Sequence, residues 1–153
     1  CQRIIAFNEK NLNLTIPENI KLLEKDLKIL DFFKNDYDKI LHYIDDQDIN
    51  SYINFIVNQM FAANKYFNDE EPWKKKNDAL RLNTIIYVAL ELVRKITIML
   101  YPVMPESSLK VLSVFNVTES QINFESIKNH DGLRLGSKIK KINILFNKID
   151  NND

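Results

Sequence analysis

Apolar residues recur at steps of three and four through most of the chain, the period of a helix that buries one face. Ile20, Leu23, Leu27, Leu30, Phe33, Tyr37, Ile40 and Ile44 keep this step, and Thr15-Ile16-Pro17-Glu18 ahead of them has the Thr-x-x-Glu form of a capping box. One long helix, or two joined by a bend, is expected there. Ile49, Ile53, Ile56, Met60, Ala63 and Phe67 repeat the spacing and leave Asn50, Asn54, Asn58 and Lys65 on other faces, which predicts a second amphipathic helix. Leu82, Ile85, Ala89, Leu92, Ile96 and Met99 form a third and more apolar one, stopped by Pro102, which lacks a backbone donor. Pro105 then stands where a helix tolerates proline, in its first turn, and a short fourth helix is expected over Glu106 to Val114.

The two ends carry weaker patterns. "CQRIIAFNEK" reads as the last turns of a helix with no cap before it, so the chain is expected to be a fragment. Beyond Asn116 the period fades, and "DGLRLGSKIKKINILF" alternates small, basic and apolar residues around Gly132 and Gly136, which predicts extended or turn structure packed on the helices. The expected fold is all-α: an antiparallel bundle of about four to five helices over residues 1–115, with a short irregular C-terminal segment over residues 116–153, in one domain.

Composition narrows the function classes. With 153 residues, 45% hydrophobic and 27% charged, the chain can bury one sizeable core. Leu82 to Tyr101 is interrupted by Glu91, Arg94 and Lys95, which fits a buried helix and not a membrane span. A net charge of zero supplies no global field for nucleic acid, so such binding would need local clusters. Only two glycines, both late in the chain, exclude a phosphate-cradling P-loop and a dinucleotide turn. One cysteine and no signal peptide fit a reducing, cytoplasmic setting.

Candidate chemistry is sparse. His42 and His130 stand far apart and outside any metal-binding motif, and are expected on a helix surface and in a loop. Asp45-Asp46 and Glu70-Glu71 fall at expected helix ends, where carboxylates act as caps and solvated charges. Cys1 has no histidine near it in sequence. No catalytic residue, metal ligand or cofactor is assigned to this chain.

The segment "ANKYFNDEEPWKKKN", Ala63 to Asn77, is more informative. It places the single tryptophan, Trp73, after Pro72, with Glu70 and Glu71 directly before that proline and three lysines behind. Trp73 could plug one end of the bundle. It could also be a stacking platform, with Pro72 stiffening the backbone and Lys74, Lys75 and Lys76 supplying charge for phosphates.

Taken in order, "CQRIIAFNEK", "ANKYFNDEEPW" and "LYPVMPESS" resemble the C-terminal anticodon-binding helix bundle of the methionyl-tRNA synthetases, class I aminoacyl-tRNA synthetases. Asn64, Tyr66, Pro72, Trp73, Pro102 and Pro105 look like the family's recurring pattern. In that family an Asn-Leu-x-x-Arg-x-x-x-Phe segment and the tryptophan together recognise the CAU anticodon. Arg3 and Phe7 would take the arginine and phenylalanine places, with the asparagine and leucine preceding Cys1. The similarity runs from Cys1 to about Phe115, with a fainter match in "KKINILFNKID". Lys75 departs from the family's usual apolar residue, and "KKINILF" lacks its prolines.

The resemblance implies that Trp73 stacks on a base and Arg3 hydrogen-bonds to a base edge. Lys74 and Lys76 would contact phosphates, and Asn64 and Tyr66 would support the loop. It further implies a monomeric parent methionine–tRNA ligase whose catalytic domain, using ATP and in some members zinc, lies outside this chain, so that the chain alone is expected to be inactive. Its partners would be the anticodon loop of methionine tRNA and that catalytic domain, with no membrane. Related bundles of the isoleucyl, valyl or leucyl enzymes, or a helical protein-interaction module, stay open as alternatives; the Arg3 to Phe7 match and the Pro-Trp element argue against the former.

Overall fold

The computed structural model describes residues 1–141. Among these described residues seven α-helices follow one another: α1 (Gln2–Leu12), α2 (Glu24–Leu30), α3 (Phe32–Asn35), α4 (Tyr37–Asp45), α5 (Ile49–Glu70), α6 (Ala79–Leu100) and α7 (Pro105–Val114). Among the described residues there is no strand, only an isolated antiparallel bridge between Thr15 and Lys138. The all-α class therefore holds.

Helix α6 is the axis of the molecule, packed against α1, α2, α5 and α7. A helix covered on all sides must be apolar on all sides. Ile85, Ile86, Val88, Leu90 and Met99 accordingly have no solvent exposure. The charges expected to interrupt a membrane span are buried too. Arg94 Nη2 lies 2.5 Å from Glu91 Oε1 and also donates to the Ser126 carbonyl at 3.0 Å. Lys95 Nζ donates to the Leu30 carbonyl at 3.3 Å and meets His130 Nδ1 at 3.0 Å. Burial brings the Lys95 amine down to about 8. No described helix is long and apolar enough to cross a membrane.

The two long helices start where a carboxylate can take their free amides. Asp48 accepts from the Ser51 amide and Asp78 from the Arg81 amide, each at 3.0 Å. At α7, Pro105 occupies the first turn.

Two expectations are corrected. Thr15-Ile16-Pro17-Glu18 caps no helix: after α1 the chain reverses through Asn13 and Leu14, with φ of 48° and 55°, and Ile16 runs beside Ser137 and Gly136 with two backbone hydrogen bonds of 2.9 Å. The first helix of this stretch begins instead at Glu24, where the Asp26 carboxylate accepts from the Leu23 amide at 2.9 Å. The stretch from Ile20 to Ile44 is also broken into three short helices, with breaks at Asp31 and Asp36. The breaks let Leu30, Phe33 and Ile40 all reach zero exposure against a globular core, which a straight rod could not do.

Among the described residues, the segment after Asn116 is made of 3₁₀ turns at Glu119–Gln121 and Phe124–Ile127 and of a return past α1 and α7. The Ile139 amide donates to Leu14 O at 2.8 Å and the Lys140 amide to Val114 O at 3.0 Å. Gly132 passes so close to Arg94 that an added Cβ would lie 2.1 Å from the guanidinium carbon. The part of "KKINILFNKID" from Ile142 onward lies outside the described residues.

Candidate nucleic-acid interface

Helix α5 ends at Glu70. Glu71 adopts the left-handed region, with φ of 45°, and Pro72–Lys74 forms one 3₁₀ turn. This turn lifts Trp73 out of the helical register at the end of the bundle. The ring is packed edge-on against Phe67, with centroids 6.2 Å apart and planes at 70°, and remains 39% exposed. Phe7 of α1 also packs edge-on against Phe67, at 5.7 Å and 86°.

Arg3 closes this arrangement. Its guanidinium carbon lies 5.4 Å from the Phe67 centroid and 5.6 Å from the Trp73 centroid, and its Nη1 donates to Asn68 Oδ1 at 2.9 Å. A cation within about 6 Å of a ring is attracted by the ring quadrupole. Arg3 and Trp73 are 70 positions apart in sequence, yet they form one exposed, cationic, aromatic surface. Asn68 takes a donor on Nη1 of Arg3, and the guanidinium carries further N–H donors besides it.

The other site residues distribute as follows. Asn64 is exposed one turn before Asn68 and lines a small cleft with Arg3, Ile4 and Phe67. Pro72 is buried under the turn. Lys74 is exposed but paired with Glu71 at 2.7 Å, and Lys76 is exposed in the same loop. Tyr66 points away from this surface, and its hydroxyl donates to Asp26 Oδ1 at 2.6 Å in the interior. Burial and that bond push the Tyr66 phenol up.

Asn68 was not among the residues singled out from the sequence. A signal existed, since Asn68 follows Asn64 by one turn and so shares its face. Nor did the sequence reveal a buried ion cluster behind the site. The Arg81 guanidinium meets Asp26 at 2.5 and 2.9 Å and Glu70 at 2.6 and 3.1 Å, while Lys25 reaches Glu70 at 2.5 Å. Glu70 is thus 9% exposed, not the solvated or capping charge expected of it, because it faces the guanidinium across the α5–α6 corner. Burial alone would raise the Asp26 and Glu70 carboxyls, but the hydrogen bonds they accept outweigh it and hold both below the usual carboxylate range.

His42 is on the surface beside Asp46, at 3.1 Å. His130 is in a loop, but its ring is held between Lys95 and Asp31. Among the described residues, no three His, Cys, Asp or Glu side chains gather as a metal-ligand set. An apolar groove of about 410 Å³ lies beside the start of α1, lined by Met60, Val93, Ile96, Leu100, Met104 and Val111 among others.

A family profile described as the anticodon binding domain of methionyl tRNA ligase matches residues 16–153. The chain belongs to that family. Among similar proteins, a methionine–tRNA ligase of Nanoarchaeum equitans is 33% identical over 153 residues, covering 98% of this chain and 18% of that protein. One of Brucella suis is 30% identical over 128 residues, covering 83% and 25% respectively. The free-state methionyl-tRNA synthetase of Mycobacterium tuberculosis superposes with a TM-score of 0.85 at 25% identity, over 97% of this chain and 31% of that one. The chain therefore spans under a third of the length of these relatives. The family profile begins after α1, whereas the Nanoarchaeum alignment extends over nearly the whole chain.

Proposed function

We propose that this domain recognises the anticodon loop of methionine tRNA, reading CAU, on behalf of a monomeric, cytoplasmic methionine–tRNA ligase whose ATP-dependent catalytic domain belongs to the same polypeptide. One observation carries the reading: the Arg3 guanidinium stands within 5.6 Å of the centroid of the half-exposed Trp73 ring. Unpaired bases offer a face to an aromatic plate and a Watson–Crick edge to an arginine. Trp73 would stack, Arg3 would read, and Phe7 and Phe67 would back the pair. Asn64 would lie beside the base, while Lys76, and Lys74 on release from Glu71, would meet loop phosphates.

The test is a titration of RNA hairpins with a CAU loop and an altered loop, at one stated salt concentration. Arg3→Ala should weaken CAU binding more than binding of the altered loop, since a base-edge contact carries sequence information and a phosphate contact does not. Equal losses on both hairpins would reject the base-reading role. A second reading, a helical protein-interaction module, draws on the apolar groove beside α1. It requires that RNA affinity be indifferent to both Arg3 and Trp73.

A further inference from the structure

Trp73 sits in an eight-residue connection, 71–78, between two long helices. Three backbone hydrogen bonds keep this connection tight: Lys74 N to Glu71 O at 2.8 Å, Lys75 N to Pro72 O at 3.1 Å, and Asp78 N to Lys75 O at 2.9 Å. Arg81 touches both of its ends. The Arg81 amide donates to Asp78, the cap of α6, and the Arg81 guanidinium holds Glu70, the last residue of α5. The same guanidinium ties both to Asp26 of α2, a carboxylate with no solvent exposure. Two planar carboxylates on one planar guanidinium make a directional joint, which a point charge cannot reproduce.

We propose that Arg81 is a positioning residue for RNA recognition: by locking Glu70 to Asp26 it fixes the angle at which α5 gives way to the Trp73 turn, and so presets Trp73 and Asn68 against Arg3. The lever is short. Glu70 is three residues from Trp73, two from Pro72 and two from Asn68, and the intervening Glu71 is held in the left-handed region, which sets the direction of the turn. A preset platform binds more tightly because less side-chain freedom is lost on binding. The recognition half of this proposal rests on the RNA reading above; the geometric half does not.

Trp73 is the only tryptophan, so fluorescence of the 153-residue chain excited selectively at tryptophan, outside tyrosine absorption, reports on this turn alone. Arg81→Lys keeps the charge and removes the fork; Glu70→Gln keeps the Arg81–Asp26 pair and weakens the link to α5. Each variant should retain the far-UV signal of the helices, yet shift Trp73 emission to the red and raise its quenching by acrylamide. CAU-hairpin affinity should fall about three- to tenfold, the cost of ordering one or two side chains on binding. If Arg81→Lys does not fold, Glu70→Gln decides the matter. Unchanged emission, quenching and affinity in a folded variant would overturn the proposal, as would a changed emission with full affinity in a protein whose Trp73→Ala form has lost binding. Should Trp73→Ala leave RNA binding intact, the RNA reading fails on its own, and the fluorescence of Arg81→Lys still decides whether Arg81 sets the turn.

Discussion

Trp73 is neither a plug nor a free plate. One edge of its ring is used for packing on Phe67, and 39% of its surface remains open. The two uses predict different losses. Trp73→Ala should cost on the order of 1–3 kcal/mol of hairpin affinity but less folding stability than the roughly 3–5 kcal/mol of a fully buried aromatic. Thermal melts and hairpin titrations on the same preparation separate the two, and a large melting shift with full affinity would reverse the assignment. Gly132 makes a purely structural prediction. An alanine there drives its Cβ to 2.1 Å from an Arg94 guanidinium that Glu91 and Ser126 already hold, so the flexible end cannot simply swing away. Gly132→Ala should cost about 1–3 kcal/mol, the range of overpacked interiors, measurable by denaturant unfolding.

The helices owe their limits to different causes. Those of α5 and α6 come from local capping by Asp48 and Asp78 and from unbroken apolar periods, all visible in a short window of sequence. Those of α2 come from Asp26, which caps its own helix and also receives Arg81 and Tyr66. Removal of Thr15's hydroxyl should accordingly leave α2 intact, whereas Asp26→Ala should uncouple α2 from α5 and α6. The same cluster fixes an acid response. Asp26 and Glu70 have folded-state pKa values below their ordinary ones, so they bind fewer protons folded than unfolded near pH 4. Their stabilisation is complete above the ordinary carboxylate range and is lost as pH falls through the depressed folded values. Melting temperature should hold from about pH 7 to pH 5 and drop below about pH 4, and Arg81→Met should flatten that drop. Lys95 acts in the opposite range. Its amine is depressed to about 8, so between there and its ordinary value the unfolded chain holds a proton that the folded one lacks, and stability gains from this group as pH rises.

At the scale of the whole molecule, the bundle of residues 1–115 and the extension after it are not independent. The extension supplies Ser126 O to Arg94, His130 to Lys95, and its backbone to Leu14, Ile16 and Val114. Cutting after Phe115 would strip partners from two cations with no more than 1% exposure, so residues 1–115 alone should melt much earlier and less cooperatively than the full chain. A sharp, unshifted transition of the shortened chain would show the bundle to be autonomous. The 153-residue chain spans under a third of the ligases it matches and should show no methionine-dependent pyrophosphate exchange with ATP by itself; measurable exchange would reveal a catalytic site within it.

The sequence by itself determined the all-α class, the spans of α5, α6 and α7, and the pairing of Pro72 with Trp73 at a helix end, because periodicity, prolines and caps act over a few residues. It also supplied Arg3 and Trp73 as candidates, through ordered short motifs. Only the tertiary structure decided that these two share one surface, that Asn68 holds the arginine, and that Tyr66 and Glu70 turn inward to Asp26 and Arg81. The same holds for the failed cap at Thr15 and the broken stretch from Glu24 to Asp45. In each case the deciding contact joins side chains or backbone groups distant in sequence, and such contacts depend on how the surrounding elements pack to cover α6.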